Sequence, residues 1–257
     1  MAAQRITEGV NLDDDEFGDV VSFGSEVQLQ HGSIAERQLA LVDDRRVVEA
    51  NRLSQELLQH LEALKPEEMF PVRTTLLASI ASSFSGPAKI ERYREEVAEI
   101  SKIAQSIAEI TPRLVEMEHV ALSLKKRWRR LTRTVDAYLL AGRFIVAYID
   151  TDTQVGHERS QHYRSQKDAL ETRIGSLAAT STSLVVGLRT LEAIHASLID
   201  ARSFAEELLG RDLPAWQTAV GAAIVARTND PSAPIDLNDI TRRYLKLITM
   251  ITRKEFR

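Results

Sequence analysis

The chain has 257 residues, 33 of them basic and 37 acidic, for a formal net charge of −4. That balance speaks against a chain-wide nucleic-acid footprint, and the absence of Cys removes disulfides, thiolate metal sites and Cys nucleophiles together. Aromatics make up 5%, and there are only 11 Gly and 7 Pro, too few turn formers and ring-bearing residues for an all-β sandwich or barrel. No basic segment followed by an apolar stretch marks a signal peptide. The longest near-apolar run, Ala137–Ile149, is about 13 residues and contains Arg143, whereas a membrane span needs roughly 20. The expected class is a soluble, mostly helical protein.

Charge is unevenly spread. Residues 1–70 carry 15 acids and 6 bases, net −9, and residues 71–257 carry 22 acids and 27 bases, net +5. An acidic head on a mildly basic body is either an interaction tail or neutralised within the fold.

Residues 1–18 contain Asp13-Asp14-Asp15-Glu16, four adjacent like charges that disfavour compact structure. They are expected to form an acidic disordered tail. Residues 19–87 read as an N-terminal helical segment and a connector. Within them 33–64 is predicted as one helix, with Ser33 as cap and Glu36 three residues on. Lys65-Pro66 ends it, and Pro66, Pro71, Gly86 and Pro87 mark the connector.

Residues 88–227 carry the clearest pattern. Ile90, Tyr93, Val97, Ile100, Ala104 and Ile107 recur at gaps of three and four. After Pro112 the spacing resumes with Leu114, Met117, Ala121, Leu124, Trp128, Leu131, Val135 and Tyr138. Pro112 either opens a new helix, with Thr111 as N-cap, or kinks a continuous one. The polar stretch 150–160 reads as a hairpin loop. A second heptad run follows: Tyr163, Leu170, Ile174, Leu177, Ser181, Leu184, Leu188, Leu191, His195 and Leu198. Ser181 and His195 occupy seam positions, where a hydrogen-bonded polar group can fix register. Gly210 is placed as a cap, and 213–227 as a short helix with Trp216.

Residues 228–257 form a linker and a basic amphipathic helix, with Ile240, Tyr244, Leu247, Ile248 and Ile251 on one face. The fold class read from these elements is all-α. It is an elongated antiparallel bundle, a coiled-coil-like hairpin of two long helices with shorter flanking helices.

The search for chemistry is mostly empty. His157 and His162 are five residues apart, about 140° around a helix, which is not the spacing of a zinc pair. No phosphate-binding loop, dinucleotide fingerprint or nucleophile elbow occurs. Adjacent carboxylates such as Glu95-Glu96 diverge by about 100° and suit solvated faces. No catalytic residue, metal site or cofactor is assigned, and the expectation is a non-enzyme. Two basic segments stand out. Lys125, Lys126, Arg127, Arg129, Arg130 and Arg133 put six bases in nine residues around Trp128 and Leu131, a candidate anion or partner face. Arg242, Arg243, Lys246, Arg253 and Lys254 make the last helix a candidate membrane or partner helix.

The order of these features resembles the TelA-like family of toxic-anion (tellurite) resistance proteins. Val20-Val21-Ser22-Phe23-Gly24-Ser25-Glu26-Val27-Gln28 is similar to that family's early Phe-Gly-x-x-x-Gln segment, and Leu64-Lys65-Pro66 to the break after it. Ile90-Glu91-Arg92-Tyr93 and Leu124-Lys125-Lys126-Arg127-Trp128 with Tyr138 resemble the first long helix, and 163–209 the second. The resemblance implies a cytoplasmic, non-enzymatic, all-helical scaffold that binds protein partners in resistance to toxic anions or related stress. Homo-oligomerisation and contact with the inner-membrane surface are the further partner readings, and no nucleic acid is expected.

Overall fold

The computed structural model describes residues 1–12, 18–70, 76–152, 160–230 and 233–255, with side chains outside 71–90, 152–162 and 254–257. The acidic run 13–16, His157, part of the connector, most of the 150–160 loop, and the side chains of His162 and Lys254 lie outside them. All regular structure among the described residues is helical, as the periodicity predicts. The helices are α1 (Ala2–Glu8), α2 (Gly18–Ser22), α3 (Ser25–Val42), α4 (Arg46–Glu62), α5 (Pro66–Met69), α6 (Leu76–Asp152) and α7 (Ser160–Glu207). A π-helical turn, Leu208–Asp212, then leads into α8 (Leu213–Asn229), and α9 (Leu237–Glu255) follows.

The chain divides into two compact units, Met1–Asp44 with Glu118–Ala196, and Arg45–Met117 with Ser197–Arg257. The sequential division into 1–18, 19–87, 88–227 and 228–257 is therefore replaced by two units of discontinuous segments. The expected helix 33–64 is two helices. Asp43 closes α3, its N–H donating to Leu39 O at 2.9 Å. The break falls where the chain passes from one unit's segment to the other's.

In the first unit α6 and α7 pair antiparallel. As numbers rise along α6 they fall along α7: Trp128 meets Gly187, Gly142 meets Ile174, and Asp150 meets Lys167. The six residues Tyr163, Leu170, Leu177, Leu184, Leu191 and Leu198, at strict seven-residue spacing, are buried. Each such side chain contributes about 1.5–3 kcal/mol. The interleaved Ile174, Ser181, Leu188 and His195 are only half-buried. Ser181 is therefore tolerated at a partly solvated position rather than held as a buried register pin. The buried His195 Nε2 has no hydrogen-bond partner among the described residues, contrary to expectation.

Pro112 lies inside α6, so the two heptad stretches form one helix of 77 residues. A helix-interior proline costs about 3 kcal/mol. Here its ring is exposed, and the seam buries Ile107 and Leu114 on either side of it. α6 also begins at Leu76, so Pro87 falls within a helix, not a connector.

The residues expected to be a disordered tail include α1. Ala3, Ile6, Val10 and Leu12 pack on a core of Val20, Phe23, Ala141, Ile145, Leu170 and Leu177. Ala3 and Ile6 share one face of α1, Val10 and Leu12 follow just after it, and the acid run begins only beyond them. The Phe23–Gln28 segment then clasps α7. Arg173 donates to Phe23 O, to Ser25 Oγ at 2.9 Å and to Gln28 Oε1 at 3.0 Å, while Gln28 Nε2 donates to Ser176 Oγ at 2.7 Å. Gly24 adopts φ 70°, and a Cβ there would lie 2.8 Å from Leu177, so both conformation and space call for glycine.

The second unit closes on the apolar faces of α4, α8 and α9. Leu57, Leu61, Leu208, Trp216, Leu247 and Ile251 are almost fully enclosed. Gly210 does not cap a helix. Pro214 has no N–H to return to the Gly210 carbonyl, and the chain crosses that gap through the wider π turn into α8.

Two helical glycines of α7 are expected to respond oppositely to alanine. A Cβ at Gly187 would lie 2.2 Å from Trp128, whereas nothing stands within 4 Å at Gly175. Gly187→Ala is expected to lower unfolding free energy in urea by about 1–3 kcal/mol. Gly175→Ala is expected to raise it by about 0.5–1 kcal/mol.

Candidate functional site

The basic segment of α6 is divided by the turns of its own helix. Trp128 and Leu131 point inward, and Trp128 Nε1 donates to Leu184 O at 2.6 Å. Lys125 and Arg129 face α7, where both pair with Glu192, at 3.5 and 2.9 Å. Arg129 and Lys125 hold the Glu192 carboxyl below its ordinary range. These two bases thus share one acid within the fold.

Lys126, Arg127, Arg130 and Arg133 are exposed and have no ion-pair partner among the described residues. Arg127 and Arg130 line an open groove of about 320 Å³ between α3 and α6, with Gln30, Ser33, Ile34, Leu131 and Thr134. Guanidinium, hydroxyl and amide groups around such a groove suit a carboxylate or another oxyanion. Gln30 already donates to Glu26, and Thr134 Oγ1 to Arg130 O. Ser33 remains, and Arg37 follows it on the same face of α3 by four-residue spacing. The sequence placed Ser33 as a helix cap; mid-helix, its hydroxyl instead lines the groove. Gln30 and Thr134 carried no sequence signal, because only the docking of α3 on α6 brings them together.

The last helix is spoken for in a different way. Ile240, Tyr244, Leu247 and Ile251 are buried in the second unit's core. Arg242 and Arg243 pair with Asp239, the latter at 2.7 Å, and Lys246 donates to Asp212 at 2.8 Å. Arg253 alone of the described candidate bases has no ion-pair partner there. The apolar face that a membrane anchor needs is therefore already covered by protein.

Asp212, 7% exposed, sits at the end of the π turn and receives both Lys246 and Arg211 at 2.8 Å. Arg211 also pairs with Glu207. Burial works against the charged form of Asp212, yet the hydrogen bonds from Lys246 and Arg211 outweigh it and hold its carboxyl below the ordinary range. Elsewhere in this unit His60 Nδ1 lies 2.8 Å from Glu96 Oε2, linking α4 to α6. Glu96 is thus a tertiary partner rather than a purely solvated carboxylate. Burial pushes the Tyr93 hydroxyl up to about 12, which keeps it protonated near neutrality. No group of three or more potential metal ligands occurs among the described residues. The helical run Tyr163–Asn229 is long and apolar enough, by length and composition, to cross a membrane.

The Asp212 cluster has a pH signature. A carboxyl with a depressed folded-state value contributes stability above its unfolded value, about 3.9, that is lost as pH falls through the folded one. Asp212→Asn is expected to lower the melting temperature at pH 7, by a margin that shrinks as pH falls below about 3.9. Thermal unfolding of both proteins across pH 2–7, followed by circular dichroism, measures the difference.

Compared with protein-family models, with curated proteins and with solved structures, this chain matches none.

Proposed function

We propose that this chain is a non-enzymatic helical interaction protein of the TelA-like kind, a coiled-coil-like scaffold acting in resistance to toxic anions or related stress. Its working surface is the unpaired basic cluster Lys126, Arg127, Arg130 and Arg133, which holds acidic groups of a protein partner. One observation carries this reading: among the described residues these four cations have no ion-pair partner, while their neighbours Lys125 and Arg129 share Glu192. Leaving four like charges together on one helix is unfavourable in the isolated chain, and an acidic partner relieves it. The groove beside Arg127 and Arg130 adds the Ser33 hydroxyl for the same acidic group.

A peripheral membrane role is the second reading, favoured by the length and apolarity of Tyr163–Asn229. It would not run through α9, whose apolar face is buried.

Expression in a tellurite-sensitive bacterial host tests the first reading. The chain is expected to raise tolerance, and Lys126→Glu/Arg130→Glu/Arg133→Glu to abolish the gain at equal protein level. All three positions are exposed, so the melting temperature should hold. Equal protection by the triple variant, or none by the parent, overturns the reading. Flotation with anionic vesicles tests the second, which falls if the chain stays at the bottom of the gradient.

A further inference from the structure

Three exposed apolar side chains continue the basic cluster along α6. Leu140, Phe144 and Tyr148 are 50%, 60% and 59% exposed, at four-residue spacing in the first unit. At about 100° per residue, positions 126, 130, 133, 140, 144 and 148 fall within roughly 80° of arc. They therefore form one stripe about 33 Å long at about 1.5 Å per residue. One half presents unpaired cations and the other an aromatic and aliphatic ridge. Among the described residues no helix of the unit covers either half, since all six side chains stay exposed.

From this juxtaposition we propose that the stripe is the docking surface for an amphipathic helix of another protein, acidic along one half and apolar along the other. The charge pattern selects that occupant. A second copy laid parallel on the stripe would set cations against cations. A second copy laid antiparallel and centred on Phe144 would match only the three apolar side chains. These offer on the order of 100 Å² each, far below the roughly 800 Å² per partner of a stable interface. A helix that lies on a membrane carries cations beside its apolar face along its whole length, whereas here the two classes are separated end to end. A partner helix with Asp or Glu over one half meets the cations. Its Leu or Met at three- and four-residue spacing meets the ridge.

This rests on the interaction-protein reading above and names the kind of partner. The test uses the full chain and two synthetic 22-residue helical peptides, each with four Glu over one half and four Leu at helical spacing over the other, in the two possible orders. Scrambled peptides of the same composition are the controls, and fluorescence anisotropy the readout. One of the two designed peptides is expected to bind at least tenfold tighter than its scramble. Phe144→Ser/Tyr148→Ser and Lys126→Glu/Arg133→Glu are each expected to weaken it at least tenfold, and only the second pair to remove its salt dependence. If charge reversal weakens binding and the Ser pair does not, the basic-cluster reading stands and the stripe is overturned. If neither designed peptide outbinds its scramble, the stripe is overturned as well. It is also overturned by a dimer in sedimentation velocity that the Ser pair dissociates. Flotation on vesicles of one part phosphatidylglycerol to three parts phosphatidylcholine that the Ser pair abolishes does the same. Unchanged thermal unfolding of both variants shows that the fold is intact.

Discussion

Trp128 can lie flat against α7 only because residue 187 has no side chain. A Cβ there would stand 2.2 Å from the indole. The close approach lets Trp128 Nε1 reach the Leu184 carbonyl and draws Val27, Leu131, Val135 and Leu184 into one cluster. Gln38 donates to the Gly187 carbonyl from the other side, so α3 is fastened at the same place. The groove beside Arg127 and Arg130 exists because α3 is held there. Antiparallel register, the position of α3 and the exposure of the basic cluster all follow from this one contact.

The same helix turn sorts the charges. Six bases in nine residues cannot share one environment on a helix. Residues 125 and 129 meet Glu192 on α7, and residue 127 and its neighbours turn elsewhere. A single acid on α7 satisfies two of the six. The rest remain available, and the proposed function is built on that remainder. Toward the end of α6, solvent instead meets Leu140, Phe144 and Tyr148. One exposed stripe therefore changes character from cationic to apolar along its length.

The second unit shows the opposite economy. Its basic helix α9 keeps its charges close to home, on Asp239 and Asp212, and buries its apolar face. Asp212 is available to Lys246 because the π turn before Pro214 carries the chain onward without a cap. A local backbone irregularity and a buried ion pair thus occur at one place, and together they anchor α9.

The sequence by itself determined the helical class, the seam of α6 and α7, and the location of the basic cluster. Periodic apolar spacing is a local property, and helices obey it directly. It also located α8 to within two residues. The partition of the chain into units was decided by tertiary structure, because a break such as Asp43–Arg45 depends on which core each flanking helix joins. Gly210 was misread as a cap, and of the two readings of Pro112 only the continuous helix holds. A proline or glycine signals only a local preference, and burial on either side can override it. Above all, pairing across α6 and α7 distinguished Lys125 and Arg129 from Lys126, Arg127, Arg130 and Arg133. A run of like charges does not say which of its members has an acid opposite, because that acid lies some sixty residues away in the chain.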